Sequence, residues 1–265
     1  MALNDSAIRR CRTGFCFGEG KALAVVWSGK VSEQRKVLEA CVAPNAIVIT
    51  QASNAGLTGG STPDGNNYDR DIVIVSTSRM KKVYVIEQGK QVVCLPGATL
   101  GQLKHVLKPL GREPHPVIGS SCICASVFGG VYNDSGGASV QRGPAYTQTV
   151  VFAQVDAAGK LHIVNHLGIR LGDTPEEVLR RLDRGEFPEA DFQPDAGAAS
   201  DRHCVIHGRE VRADIPARFN ADPHRLCEAS GSAGKLMVFA VQPDTFPIDR
   251  RISRGCYQIR QLQYR

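Results

Sequence analysis

Short apolar runs, broken by small and polar residues, set the rhythm of this chain. Ala22–Trp27, Ala46–Thr50, Asp71–Ser76, Lys82–Ile86 and Gln91–Leu95 are five or six residues long and rich in Val and Ile, which predicts strands. Between the first two, Val31, Val37, Leu38 and Cys41 recur at helical spacing and predict a helix over 31–41, with Ser32 as a candidate cap. Strand, helix and strand together make one βαβ unit. Farther on, Pro96-Gly-Ala-Thr99 predicts a turn into a helix over about 100–107, closed by Pro109 and Gly111. Residues 149–155 and 160–164 predict a hairpin around Asp156-Ala-Ala-Gly159. Thr174-Pro-Glu-Glu177 opens a helix reaching Leu182 in the manner of a capping box, 186–202 reads as a surface loop, and 235–241 as a last strand. One βαβ unit followed by mostly antiparallel strands argues for an α+β fold of two subdomains, with a ligand between them.

The chemistry concentrates after the second strand. Gln51-Ala-Ser-Asn-Ala-Gly-Leu-Thr-Gly-Gly-Ser61 is a loop of small residues, which leaves backbone N–H groups accessible and lets the chain approach a bound group closely. Such a loop can cradle a pyrophosphate. It matches neither the dinucleotide fingerprint G-x-G-x-x-G nor the P-loop, and an ordinary turn has the same composition.

Composition narrows the partners. The net charge of +6 is mild and dispersed, the densest basic cluster in the first half being Arg79-Met-Lys-Lys82, so no basic stripe suits a nucleic acid. Modest attraction to anionic lipid is compatible with this charge. No apolar stretch approaches the roughly 20 residues of a spanning helix, and the first ten residues do not read as a secretory signal. The nine cysteines form no C-x-x-C pair or zinc spacing, and read as reduced thiols; Cys122 and Cys124 would share one face of a strand.

Several ordered segments carry a resemblance. They include Gln51–Thr58, Gly60-Ser-Thr-Pro-Asp-Gly-Asn66, Lys108-Pro-Leu-Gly-Arg-Glu-Pro-His115, Val117–Ile123, Asn133-Asp-Ser-Gly-Gly137, Gln141-Arg-Gly-Pro-Ala-Tyr-Thr147, Val164–Ile169 and Ala213-Asp-Ile-Pro-Ala-Arg218. Through them, residues 10–246 resemble the N-terminal, FAD-binding part of the bacterial quinone-dependent D-lactate dehydrogenases, within the vanillyl-alcohol-oxidase/PCMH flavoprotein superfamily. The resemblance implies a PCMH-type FAD-binding domain over 1–246, with subdomains of about 10–95 and 96–246 and the cofactor between them. It implies FAD contacts at Ala52, Ser53, Asn54, Ala55, Gly56, Gly60, Ser61, Gly119, Ser126, Gly136 and Val238. His115 and Arg142 are candidates to stand beside the flavin ring, where a positive group stabilises the reduced form.

The implied reaction is oxidation of D-lactate to pyruvate, with electrons passed to membrane quinone by a peripheral protein on the cytoplasmic side of the inner membrane. No catalytic residue is assigned, because the resemblance places the base and the lactate carboxylate's partners mainly in a cap domain that this chain lacks, together with the membrane-contacting segment. The tail 247–265 departs from the family, and the chain is expected to be a truncated product. A non-catalytic FAD-binding remnant is therefore the alternative, and a glycolate-oxidase-like subunit a second. Two departures fall in the site itself: Cys124 stands where glycine is expected, and Gly59 where an acid is expected.

Overall fold

The computed structural model describes residues 5–115, 124–136, 142–193, 196–203, 206 and 226–248. After helix α1 (Asp5–Arg12), three parallel strands form a first sheet: β1 (Ala24–Trp27), β2 (Ile47–Gln51) and β3 (Ile72–Ser76). Helix α2 (Val31–Val42) joins β1 to β2, as the apolar spacing predicts. The two strands of this βαβ unit are not neighbours, however: β3 lies between them, with Ile74 opposite both Val25 and Ile49. Burial along the whole of β3 explains its unbroken Ile-Val-Ile-Val run, which both faces of a covered strand require.

The second sheet is antiparallel, in the order β4-β5-β9-β7-β8. It comprises β4 (Val83–Ile86), β5 (Gln91–Cys94), the hairpin β7 (Val150–Val155) and β8 (Leu161–Asn165), and central β9 (Met237–Val241). β4 and β5 lie before a 95/96 division yet pair within this second sheet, so the chain changes sheet between Ser76 and Val83. The hairpin closes as its turn residues predict, Asp156 Oδ1 accepting from the amides of Ala158 and Lys160 at 2.9 Å each.

Alternation along the strands builds three packed interfaces. Ile72 and Ile74 join Val25 and Ile8 of α1 on one face of the first sheet. Val73 and Val75 turn the other way, onto Leu38 of α2, Leu179 and Leu182 of α5 (Pro175–Arg184), and Val93 and Phe239 of the second sheet. Val92 and Val238 face outward again, toward Leu103 of α3 (Leu100–Leu107) and Phe128 of α4 (Val127–Tyr132). Helices α2 and α5 thus fill the space between two sheets, and the fold is α+β. A two-residue ladder of β6 (Arg112–Glu113) and β10 (Phe246–Pro247) adds a contact too short to announce itself in the sequence.

The caps divide instructively. Thr99 Oγ1 accepts from Gln102 N at 3.2 Å and Thr174 Oγ1 from Glu177 N at 3.3 Å, so α3 and α5 start where local sequence predicts. Ser32 does not cap α2. Lys30 holds the cap position without a side-chain bond, and Asp183 of α5 does the work from 151 residues away. Its carboxylate accepts from Val31 N at 2.8 Å and Ser32 Oγ at 2.7 Å, while its carbonyl accepts from Lys82 Nζ at 2.7 Å and Tyr84 Oη at 3.1 Å. Burial, then the nearby Asp183 charge, pushes the Tyr84 phenol up to about 12, so it remains a donor.

Replacing this carboxylate uncaps α2 and unties α5 together. Asp183→Ala is expected to lower unfolding stability by about 1–2 kcal/mol in urea melts, the range for a lost helix cap, and a change within about 0.3 kcal/mol would contradict the assignment.

Candidate functional site

Parallel strands present ligands at their carboxyl ends, and here β2 and β3 both end against one cavity of about 500 Å³. Loop 52–61 leaves β2 and forms one wall; Thr77, which follows β3, and Pro96 lie behind it. The opposite wall is α3–α4, through Leu100, Ser126, Phe128, Gly129 and Tyr132, and Ala233 and Gly234 complete the lining.

Side chains that turn away from the cavity fix the loop's shape. Gln51 is buried and donates from Nε2 to two carbonyls, Cys11 at 2.8 Å and Ser61 at 2.7 Å, while its own carbonyl accepts from Thr77 N at 2.8 Å. Asn54 takes a left-handed backbone (φ 52°), a conformation Asn tolerates better than most residues. Its Nδ2 donates to Thr13 O and its Oδ1 accepts from Ser61 Oγ, both at 2.8 Å. The loop is therefore held from α1 and from its own far end. Among the described residues, no protein acceptor meets the backbone N–H of Ala52–Gly56, Gly60 or Ser61. Free amides in such number suit an anion.

On the other wall, Ser126 is buried and caps α4, its Oγ accepting from Gly129 N at 3.0 Å. Phe128 and Tyr132 pack edge to face, their ring centroids 6.2 Å apart. Burial raises the Tyr132 pKa, and the hydroxyl donates to Leu236 O at 3.3 Å. The cavity thus has a small-residue, amide-rich end and an apolar aromatic end. Among the described residues, no charged side chain lines it, and none of their His, Cys, Asp and Glu side chains cluster in a way that could hold a metal.

The structure brings Ala52, Ser53, Asn54, Ala55, Gly56, Gly60, Ser61 and Ser126 together around this cavity. Gly136 is exposed and does not line it. Val238 is fully buried in β9, where its carbonyl accepts from Gln34 Nε2 at 3.4 Å; it does not line the cavity either. Gly119 lies outside the described residues. His115 borders a separate hollow of about 30 Å³ that shares Leu100 and Gly130 with the main cavity. Burial lowers its pKa, a hydrogen bond with the Gly143 carbonyl opposes the shift, and the charge of Arg142 adds to it. Arg142 is paired with Glu113 at 2.7 Å and lies 4.8 Å over the Phe246 ring, so its charge is already matched.

Sequence reasoning missed Thr77, Phe128, Tyr132, Ala233 and Gly234. Only the Gly231-Ser-Ala-Gly234 run carried a signal of the kind used for loop 52–61. The two positions expected to depart from the family do not line the cavity, but each has a backbone consequence. Cys124 sits at φ 59°, where glycine would be at ease, and Gly59 at φ 76°, where a side chain would be strained.

A family model described as "FAD binding domain" matches residues 22–165. The chain is 55% identical over 241 residues to the quinone-dependent D-lactate dehydrogenase of Escherichia coli (strain K12), which covers 91% of this chain and 42% of that protein. It is 54% identical over 239 residues to the enzyme of the same name from Haemophilus influenzae, with 90% and 42% covered. The chain thus spans about two fifths of the length of these relatives. Among solved structures, alkyldihydroxyacetonephosphate synthase superposes with a TM-score of 0.57 at 12% identity, over 94% of this chain and 38% of that one. That likeness concerns the fold.

The cavity fits FAD on its own evidence. Its volume lies within the roughly 300–1,000 Å³ usual for ligand sites. A Cβ built on Gly56 or Gly60 meets nothing within 4 Å, so both glycines keep open space where a cofactor must approach the backbone. Gly60→Val is expected to weaken FAD binding at least tenfold, read by quenching of flavin fluorescence, while the melting temperature of the apoprotein stays within about 2 °C. Unchanged affinity would remove loop 52–61 from the cofactor site.

Proposed function

The chain belongs to the FAD-binding domain family, and from that premise we propose that it is the cofactor-holding part of a dehydrogenase that oxidises D-lactate to pyruvate and passes the electrons to a membrane quinone. The observation that carries this reading is the 55% identity, sustained over 241 residues, with a relative bearing that name. The cavity at the ends of β2 and β3, without a charged side chain among the described residues that line it, supports it.

FAD supplies, when bound, the acceptor for the hydride leaving C2 of the 2-hydroxy acid. Each remaining element of the reading concerns the chain's own residues. Loop 52–61 binds the pyrophosphate through its free amides together with the hydroxyl of Ser53, and Gln51 and Asn54, the latter accepting from the Ser61 hydroxyl, keep those donors in place before the cofactor arrives. Preorganised donors lose little entropy on binding. Gly119, Gly136 and Val238 are proposed as further contacts, the last two from positions that do not line the cavity. Leu100, Phe128 and Tyr132 exclude water at the other end.

No described carboxylate or imidazole lines the cavity, so the group that takes the proton from the C2 hydroxyl stands outside this lining. The domain is proposed to comprise 1–246, in two subdomains of about 10–95 and 96–246 save that β4 and β5 pair in the second sheet, and the working place is the cytoplasmic face of the membrane, reached by peripheral contact.

The test is a visible spectrum of purified protein after free FAD is removed. Anaerobic D-lactate is expected to bleach the flavin band while L-lactate leaves it intact. A flavin band indifferent to both would reduce the reading to cofactor binding alone.

A further inference from the structure

The chain from the end of α1 toward β1 backs the small-residue loop and is joined to it at intervals. Carbonyls at the end of α1 accept from the loop's side chains. Cys11 O receives Gln51 Nε2 at 2.8 Å, Thr13 O receives Asn54 Nδ2 at 2.8 Å, and Arg10 O lies 3.4 Å from the same Nδ2. Farther along, Gly65 N donates to Glu19 O at 2.9 Å and Lys21 N to Asn66 Oδ1 at 2.8 Å, while Gly20 and Gly65 form a parallel bridge. Between these ties the two stretches are in close contact. A Cβ on Gly18 would stand 2.3 Å from Thr62 Oγ1, and one on Gly59 would stand 3.0 Å from Phe17 O.

This backing has little other anchorage. Ile8 is buried and Cys11 half-buried against Val25, Ile72 and Ile74, in the smallest of the three apolar clusters among the described residues. Among the described residues, the backbone hydrogen bonds of 13–21 run within the segment, as from Gly14 N to Gly18 O at 2.7 Å, or to 51–66. Loop 52–61, built of Ala, Ser, Gly and Thr around Asn54 and Leu57, has no packed core of its own either. Stretches that hold their shape chiefly through each other order and loosen as one unit.

We propose that α1 and residues 13–21 form a latch coupled to cofactor occupancy. Docking of the latch sets loop 52–61 for the cofactor, and bound FAD in turn holds the latch down. Coupling between two binding events is reciprocal, so each favours the other by the same factor. Arg9 and Arg10 are exposed on α1, and a protease reaches the chain there only when the helix opens. A cofactor-free chain is therefore open to tryptic attack at the latch, and a loaded chain is protected. The step from FAD to latch rests on the cofactor reading of loop 52–61; the step from latch to loop does not.

Hydrogen exchange read by mass spectrometry on the full chain tests the two steps separately. In the apoprotein, Ile8→Ala is expected to speed exchange over residues 51–61 at least threefold, and Ile8→Asp at least tenfold. Exchange over the hairpin 150–165 is expected to keep its wild-type rate, which also checks that both variants remain folded. In the wild type, saturating FAD is expected to slow exchange over residues 8–20 at least tenfold more than over 150–165, and to slow trypsin cleavage after Arg9 and Arg10 by a similar factor. Both variants are expected to bind FAD at least threefold more weakly by quenching of flavin fluorescence. Loop exchange unchanged in both Ile8 variants overturns the proposal. So does FAD that binds, by its quenched fluorescence, while exchange over 8–20 stays at the apoprotein rate. A chain that takes up no FAD contradicts the cofactor reading and the step from FAD to latch, while the Ile8 variants still decide the step from latch to loop.

Discussion

A single buried amide organises the site. Gln51 ends β2, and its Nε2 holds the carbonyls of Cys11 and Ser61 while its carbonyl receives Thr77 N. Helix α1 and the far end of the small-residue loop therefore meet on the Gln51 side chain, and the exit of β3 on the same residue's backbone carbonyl. A loop of Ala, Ser and Gly has little packing of its own and would otherwise sample many shapes, each costing conformational entropy to restore on binding. Removing that freedom in advance lets bare backbone amides serve as a binding surface. Asn54, with its left-handed backbone and its ties to Thr13 and Ser61, completes the restraint.

The layers behind the loop follow from the same need for a fixed exit. β3 occupies the middle of the first sheet, buried on both faces, so the strand ends that frame the cavity cannot shift without disturbing α1 on one side and α2 on the other. Asp183 adds a link that neither helix could provide alone, capping α2 from α5 while holding Lys82 and Tyr84. The opposite wall is positioned by α3 and α4, which share the outer face of the second sheet with Val92 and Val238. Two walls supported by different sheets make the cavity.

Much of this was legible in the chain. Apolar runs located the strands, and Thr99 and Thr174 announced the starts of α3 and α5 because a cap and the amide that donates to it lie within one turn of each other. The wall Ala52–Gly56, Gly60 and Ser61 was legible as small residues after a strand, and the family resemblance added Ser126. Other features were hidden for physical reasons. Parallel register leaves no trace in apolar periodicity, so the insertion of β3 between β1 and β2 could not be read. Asp183 acts across 151 residues. Gln51 looks like any polar residue at a strand's end until its two acceptors are brought to it, and Phe128 and Tyr132 read as core because their rings are almost wholly buried even where they line the cavity.

The account stands on the amides of loop 52–61 as the anion cradle. The most direct measurement is an amide ¹H–¹⁵N correlation spectrum of the apoprotein titrated with FAD. The account predicts that Ala52, Ser53, Ala55, Gly56, Gly60 and Ser61 show the largest shifts, and that ADP, which carries the pyrophosphate without the flavin, moves the same amides. Loop amides left in place while FAD binds elsewhere would contradict it.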